Sequence, residues 1–437
     1  MPQPFVQSGR KLGYAVLFFV LCTILVVTLE PFDFHVPRHV HLTWWDGPFD
    51  VVANVALFMI PGFLFALARQ ATSQSEAPSD ARRRTLQRAF VYSVLISGTI
   101  ETIQAFEPAR YPSLCDVISN TTGACLGAWV FLRISRLLRA DTPLVGMLAL
   151  ELPLMGLVYL LLPLCMLASM TQTNRALRTG LAMSPRAYGL LALACFVGVL
   201  LGHLQRNRFG PQGLARAYQT AAAAAGSFII GAMPALPANP LLVAMGAFLS
   251  ACVTWCIGAI GLGSTPPADR RFEATALRRG APFFLSYVAL ASFATPPGSL
   301  SRPSRIQIIS DVESYAAFTV FGFMLAEGWG RLELRYRWVV AYVGTVCLAT
   351  ACAIQTIQHV SPFTLSAVVA LGTHALAGAY GGWIYHLQRA HVRLLASAQK
   401  SASSERTSMP HANAGRDVLT GGHEEVSVLS PGLQRIV

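Results

Sequence analysis

The sequence predicts an all-α, polytopic transmembrane helical bundle, and three observations carry that prediction. The 437 residues are 54% hydrophobic and only 12% charged, too apolar and too sparsely charged for a soluble chain of this length. Apolar runs recur at about the 20-residue length that a hydrocarbon core about 30 Å thick demands. The arginines gather mostly in alternate connections between those runs, as expected when positive loops stay on one side of a membrane.

Taken in order, a short segment carrying Arg10 and Lys11 leads into the first run, Leu12–Leu29. That run is too long for the apolar part of a signal peptide and lacks a small-residue cleavage site, so a spanning helix is expected and no cleavable leader. A polar loop follows with His35, Arg38, His39, His41, Trp44, Trp45 and Asp46. Helices are then expected over Phe49–Leu67, Ala89–Gln104 and Ser113–Leu137, with a basic loop at 69–88 between the first two. A middle block offers Leu144–Ala168, Tyr188–Leu204, Ala217–Met233 and Pro240–Leu262. Glu151 and His203 are its main ionisable residues inside spans, and Glu151 reads as an interfacial or helix–helix contact. The last block offers Ala281–Ala294, Ile309–Glu327, Trp338–Gln358 and Pro362–Leu387. The count is about 12 spans. From Ala396 the chain is rich in Ser, Gly and charge without apolar periodicity, and disorder is expected.

Charge sets the expected orientation. With the N-terminus cytoplasmic, loops 69–88, 133–141, 204–216, 264–280 and 329–337 and both termini hold most of the arginines. Loop 170–187, with Arg175, Arg178 and Arg186, runs against the trend. The net charge of +12 is therefore read as membrane topology and not as nucleic-acid binding. The nine cysteines lie in or next to apolar runs, none with C-x-x-C spacing, so neither a disulfide framework nor a zinc site is indicated. His35, His39 and His41 have no metal-site spacing and read as an interfacial loop. No metal or cofactor is expected, and no Walker, G-x-S-x-G or H-E-x-x-H motif is present.

The polar residues that remain converge on one stretch, Glu101–Gly127. Ionisable groups in or beside spanning helices are costly and suggest function by default. Glu101 and Gln104 share a helix face, as do Asp116 and Asn120 on the next helix. Pro108 and Pro112 break the helix between them, so two helices fold back and bring the four side chains towards the mouth of a hairpin. Asp50 and Asn54 open their own helix from the same, outer side, and Arg110 belongs to the same layer. Gly123 and Gly127 form a small-xxx-small pair that lets helices approach closely.

This stretch resembles the VanZ-like family. The family pattern is E-x-x-Q at a helix end, an Arg in a short Pro-containing turn, then S-x-x-D-x-x-x-N-x-x-G-x-x-x-G. Glu101, Gln104, Arg110, Ser113, Asp116, Asn120, Gly123 and Gly127 match it. Asp50 and Asn54 match a preceding acidic and polar pair, although relatives often carry His at the second position. The resemblance covers about Leu12 to Leu138. It implies a bacterial inner-membrane protein of the cell envelope, linked through the founding members to teicoplanin-type antibiotic resistance. The ligand-binding set it implies is Asp50, Asn54, Glu101, Gln104, Arg110, Ser113, Asp116 and Asn120, with Gly62, Gly123 and Gly127 for helix packing.

The last block repeats the first weakly. Phe58, Gly62 and Phe63 align with Phe318, Gly322 and Phe323, and Glu101–Gln104 (ETIQ) aligns with Gln355–Gln358 (QTIQ). Carried on without a gap, Gly127 meets Gly381 and Trp129 meets Trp383, while Glu101, Asp116 and Asn120 become Gln355, Ala370 and His374. The expected organisation is a VanZ-like four-helix domain at 1–141, middle helices at 142–265, a degenerate VanZ-like repeat at 266–390 and a disordered cytoplasmic tail at 391–437.

Three functions fit these residues. One is binding or modification of an amphiphilic or lipid-linked envelope compound at the outer leaflet, the partner being a membrane lipid or lipid-linked precursor. A second is a membrane enzyme of lipid or cell-wall metabolism, with Glu101 and Asp116 as an acid/base pair whose pKa values are separated by burial. A third is a non-catalytic envelope assembly protein. Each residue also has an ordinary structural use: Arg110 neutralising a carboxylate, Asp116 capping its helix, Asn120 bonding across helices.

Overall fold

A computed structural model of the chain describes residues 4–29, 34–36, 42–44, 47–70, 78–108, 111–137, 185–209, 214–232, 240–260, 272–293, 305–329, 336–357 and 365–408. Among these residues there are eleven helices and no strand. They are α1 (Pro4–Thr28), α2 (Pro48–Gln70), α3 (Pro78–Gln104), α4 (Leu114–Leu137), α5 (Pro185–Phe209), α6 (Leu214–Gly231), α7 (Pro240–Ile260), α8 (Phe272–Phe293), α9 (Arg305–Trp329), α10 (Tyr336–Ile357) and α11 (Leu365–Ser408). The expected helix Leu144–Ala168, with Glu151, and the arginines of loop 170–187 before Pro185 lie outside the described residues. Residues Met1–Leu394 form one compact unit and Leu395–Val437 a second.

Local chemistry sets the helix ends. Helices α1, α2, α3, α5 and α7 each start on a proline, whose fixed φ suits the first helical position and whose missing N–H would be unpaired there anyway. Gly47, at φ 124°, turns the chain into α2 with a backbone conformation that disfavours any side chain. Several boundaries differ from the sequence reading: α1 starts at Pro4 and not Leu12, α8 at Phe272 and not Ala281, and α5 runs on to Phe209, while two differ most. Helix α3 starts at Pro78, so the expected loop 69–88 is half helix and Arg82, Arg83, Arg84 and Arg88 ride on its first turns. Arginine is a good helix former, Asp80 in the first turn complements the dipole, and no Gly or Pro interrupts the run. Helix α11 continues through Ser408 where disorder is expected from Ala396. Its end is built from Ala, Gln, Lys, Glu and Arg between serines, and Pro410 disfavours helix at the residue before it.

Four helices contain stretches long and apolar enough to cross a membrane: Asp50–Arg69, Pro240–Ala259, Arg337–Ile357 and Ala367–Ala390. Apolar side chains abound on the exposed surface, including Phe18, Leu95, Phe248 and Leu376. That pattern suits a chain whose solvent is lipid tails.

The first four helices pack around α2 and α4, which lie against each other along most of their lengths. Glycine makes this approach possible. A Cβ on Gly62 would meet the backbone of Ala124, one on Gly123 that of Val55, and one on Gly127 that of Met59 and Phe63. The contacts Val55–Gly123 and Met59–Gly127 advance together, so the two helices run parallel and start at the same end. Helix α3 packs against both, and α1 against α2. Phe63 meets Phe131 edge-on at 5.1 Å, and Phe65 stacks on Tyr92 at 4.6 Å, pinning α2 to α4 and α3. Further along, α5 packs on α7 and α8, α6 on α7, and α9 on α8 and α10, while α1 touches α9.

Candidate functional site

Helix α3 carries a buried polar stripe that faces α4. Ser93, Ser97 and Glu101 recur at every fourth residue, each step a rise of about 6 Å, and are 1%, 0% and 8% exposed. Their partners lie on or just before α4. The Ser93 hydroxyl donates to the Asn120 carbonyl at 3.3 Å. The Asn120 side-chain amide donates to Ser97 Oγ at 2.9 Å. One turn on, the Ser113 backbone N–H donates to Glu101 Oε2 at 2.8 Å. A carboxylate accepting an N–H is a charge-assisted bond, among the stronger kinds.

Gln104 extends the site to α1. Its side-chain amide donates to the Thr28 carbonyl at 2.7 Å. Thr28 is the last residue of α1, where carbonyls have no intrahelical donor, so Gln104 acts as a C-terminal cap in trans. Past Gln104 the helix tightens, with Phe106 N–H donating to the Ile103 carbonyl at 3.0 Å and Glu107 N–H to the Gln104 carbonyl at 2.9 Å. The loop after α1 lies on this turn. The His35 N–H donates to the Phe106 carbonyl at 2.6 Å and the Thr43 N–H to the Pro112 carbonyl at 3.1 Å, with a bridge between Thr43 and Ser113.

The structure therefore brings Glu101, Gln104, Ser113 and Asn120 into one layer. Asp116 is half-buried in the first turn of α4, where the helix dipole favours an acid. Asn54 is half-buried on α2. Asp50 is exposed, and among the described residues no hydrogen bond reaches its side chain. Arg110 lies outside the described residues, as do His39, His41, Trp45 and Asp46. Two members, Ser93 and Ser97, were not singled out from the sequence. Ser93 and Ser97 look like small residues within an apolar run; four-residue spacing from Glu101 was the available signal. Glu107, only 2% exposed, is more buried than Asp50 or Asp116.

Asn120 Oδ1 and Ser113 Oγ are buried and make no hydrogen bond among the described residues. Buried polar atoms are nearly always paired, with protein or water, so Asn120 Oδ1 marks a place for a donor, and Ser113 Oγ one for a donor or an acceptor, from a water or a ligand.

The comparisons with known proteins bear on this segment. Residues 3–139 match the VanZ/LLP1 family model. No curated protein and no solved structure matches the chain. The apolar helices and this match make the chain a membrane protein. The matched segment, similar to the VanZ/LLP1 family, is under a third of the chain.

Proposed function

We propose that the α3–α4 layer binds the polar part of an amphiphilic or lipid-linked envelope compound at the outer leaflet of a bacterial cytoplasmic membrane. In this reading the chain spans the membrane about 12 times with both termini inside. The layer then sits at the outer ends of α2, α3 and α4. The observation that carries the proposal is a buried carboxylate, Glu101, beside two buried acceptors without partners, Asn120 Oδ1 and Ser113 Oγ. A hydroxyl, amide or ammonium group would satisfy those acceptors, and the apolar helix faces would hold acyl or prenyl chains. Arg110, in the turn between α3 and α4 by sequence, would neutralise an anionic group of the compound. Glycopeptide-type resistance is the family-level expectation for the cellular outcome.

Native mass spectrometry of protein extracted gently from membranes tests this. A bound lipid or lipid-linked precursor is expected on the unaltered chain and its loss on Glu101→Gln at unchanged membrane abundance. An identical lipid profile for both would overturn the proposal.

One observation favours a second reading, an assembly protein whose polar layer only holds helices. The Glu101–Ser113 and Gln104–Thr28 bonds both tie helix ends together. That reading expects Glu101→Gln to lower the amount of folded protein in the membrane.

A further inference from the structure

We infer that the chain contains two copies of one helical unit, α2–α4 and α9–α11, and that the second carries an amide, Gln355, where the first carries the carboxylate of Glu101. In sequence the repeat is a handful of matches. In space, contacts coincide residue by residue. The correspondence uses two shifts: 260 positions from α2 to α9, as from Gly62 to Gly322, and 254 from α3–α4 to α10–α11, as from Gly127 to Gly381.

Four relations follow these two shifts. A Cβ on Gly127 would meet the Met59 carbonyl and the Phe63 amide; one on Gly381 would meet the Thr319 carbonyl and the Phe323 amide. A Cβ on Gly62 would meet the Ala124 backbone; one on Gly322 would meet that of Gly378. Phe63 and Phe131 meet edge-on at 5.1 Å and 87°; Phe323 and Tyr385 do so at 5.5 Å and 90°. Glu101 binds the backbone of Ser113, and Gln355 binds that of Ala367, its side-chain amide donating to the carbonyl at 3.3 Å. Unrelated helix pairs have no reason to share glycine contacts, a ring geometry and a side-chain-to-backbone bond on common shifts.

The last pair shows what changed. The carboxylate of Glu101 can only accept, and it takes an N–H; the amide of Gln355 donates to a C=O instead. Two members of the stripe lose their hydroxyls, Ser93 and Ser97 becoming Cys347 and Ala351, equally buried at 0% and 2%, while Asn120 becomes His374, whose Nδ1 is also buried. The second copy thus keeps the packing and gives up the acid. A carboxylate at the position of Glu101 is thus found in the first copy alone. Tyr380 of α11 donates to the Ala15 carbonyl of α1 at 2.7 Å, joining the second copy to α1.

Disulfide trapping in the full-length chain tests this without any ligand. The Ser97–Asn120 contact predicts that Ala351 and His374 face each other. Ala351→Cys with His374→Cys, made with Cys347→Ser, is oxidised in membranes beside Ser97→Cys with Asn120→Cys, and linked peptides are identified by mass spectrometry. Linkage of both pairs is expected, and none for Ala349→Cys with His374→Cys, which turns the thiol to another face of α10. A second-copy pair that stays reduced, or closes no more than that control, overturns the inference. His374→Cys alone against native Cys347, the counterpart of Ser93 with Asn120, puts the same question with one substitution if the double variant does not fold. A functional loss in Glu101→Gln bears only on the binding proposal, so the two ideas fail separately.

Discussion

Glu101 and Ser113 are joined by a 2.8 Å bond from the Ser113 backbone N–H to the Glu101 carboxylate, across the turn between α3 and α4. The acceptor is 8% exposed and the donor residue 2%. A side chain at the end of one helix thus satisfies an orphan amide at the start of the next. Glu101→Gln keeps an acceptor there and is expected to cost about 1 kcal/mol. Glu101→Ala strands the amide and is expected to cost about 1–3 kcal/mol. Thermal unfolding in detergent measures both, and equal melting points for the two variants would sink this account.

The glycines divide by what surrounds them. Gly127→Ala drives a methyl group into the Met59 backbone, which cannot swing away as a side chain would. The expected cost is at least about 1–3 kcal/mol of overpacking, seen as a lower melting temperature. Gly98 has no atom within 4 Å of its missing Cβ. Gly98→Ala is therefore expected to be neutral or to stabilise α3 by up to about 1 kcal/mol through helix propensity.

Ser97 and Asn120 are mutual partners deep in the α3–α4 contact. Ser97→Ala leaves the Asn120 amide unmet, at an expected cost of about 1–3 kcal/mol. Adding Asn120→Leu removes the stranded group as well. The double variant is expected to be less destabilised than the two single costs added together, which a double-mutant cycle of melting temperatures reads directly.

Asp50 lies in the first turn of α2. It is exposed and its side chain has no hydrogen bond among the described residues. Asp50→Asn is expected to shift stability by no more than about 0.5 kcal/mol. If it nonetheless abolishes lipid retention in native mass spectra, Asp50 belongs to the binding site. If lipid retention persists, the site is confined to α3 and α4.

Much of the fold was legible in the chain because lipid imposes a coarse rule. Apolar runs, proline starts and arginine-rich ends placed the described helices to within a few residues in most cases. The reading missed where helix continued through polar residues, as at Pro78–Arg88 and Ala396–Ser408, since hydropathy marks membrane depth and not helix ends. Glu101, Gln104, Ser113 and Asn120 could be named because polar residues at helical spacing are conspicuous in an apolar chain.

By itself, the sequence determined the helical class, the glycines that allow close packing and the residues rich enough in chemistry to matter. Only the tertiary structure decided which of them meet. Ser93 and Ser97 are ordinary small residues until Asn120, more than twenty positions on, faces them; Asp50 is prominent in the chain and exposed in the structure. Spacing along one helix tells which face a side chain shares. The rotation and offset between helices come from backbone contacts such as Gly127 on Met59, which no single helix encodes.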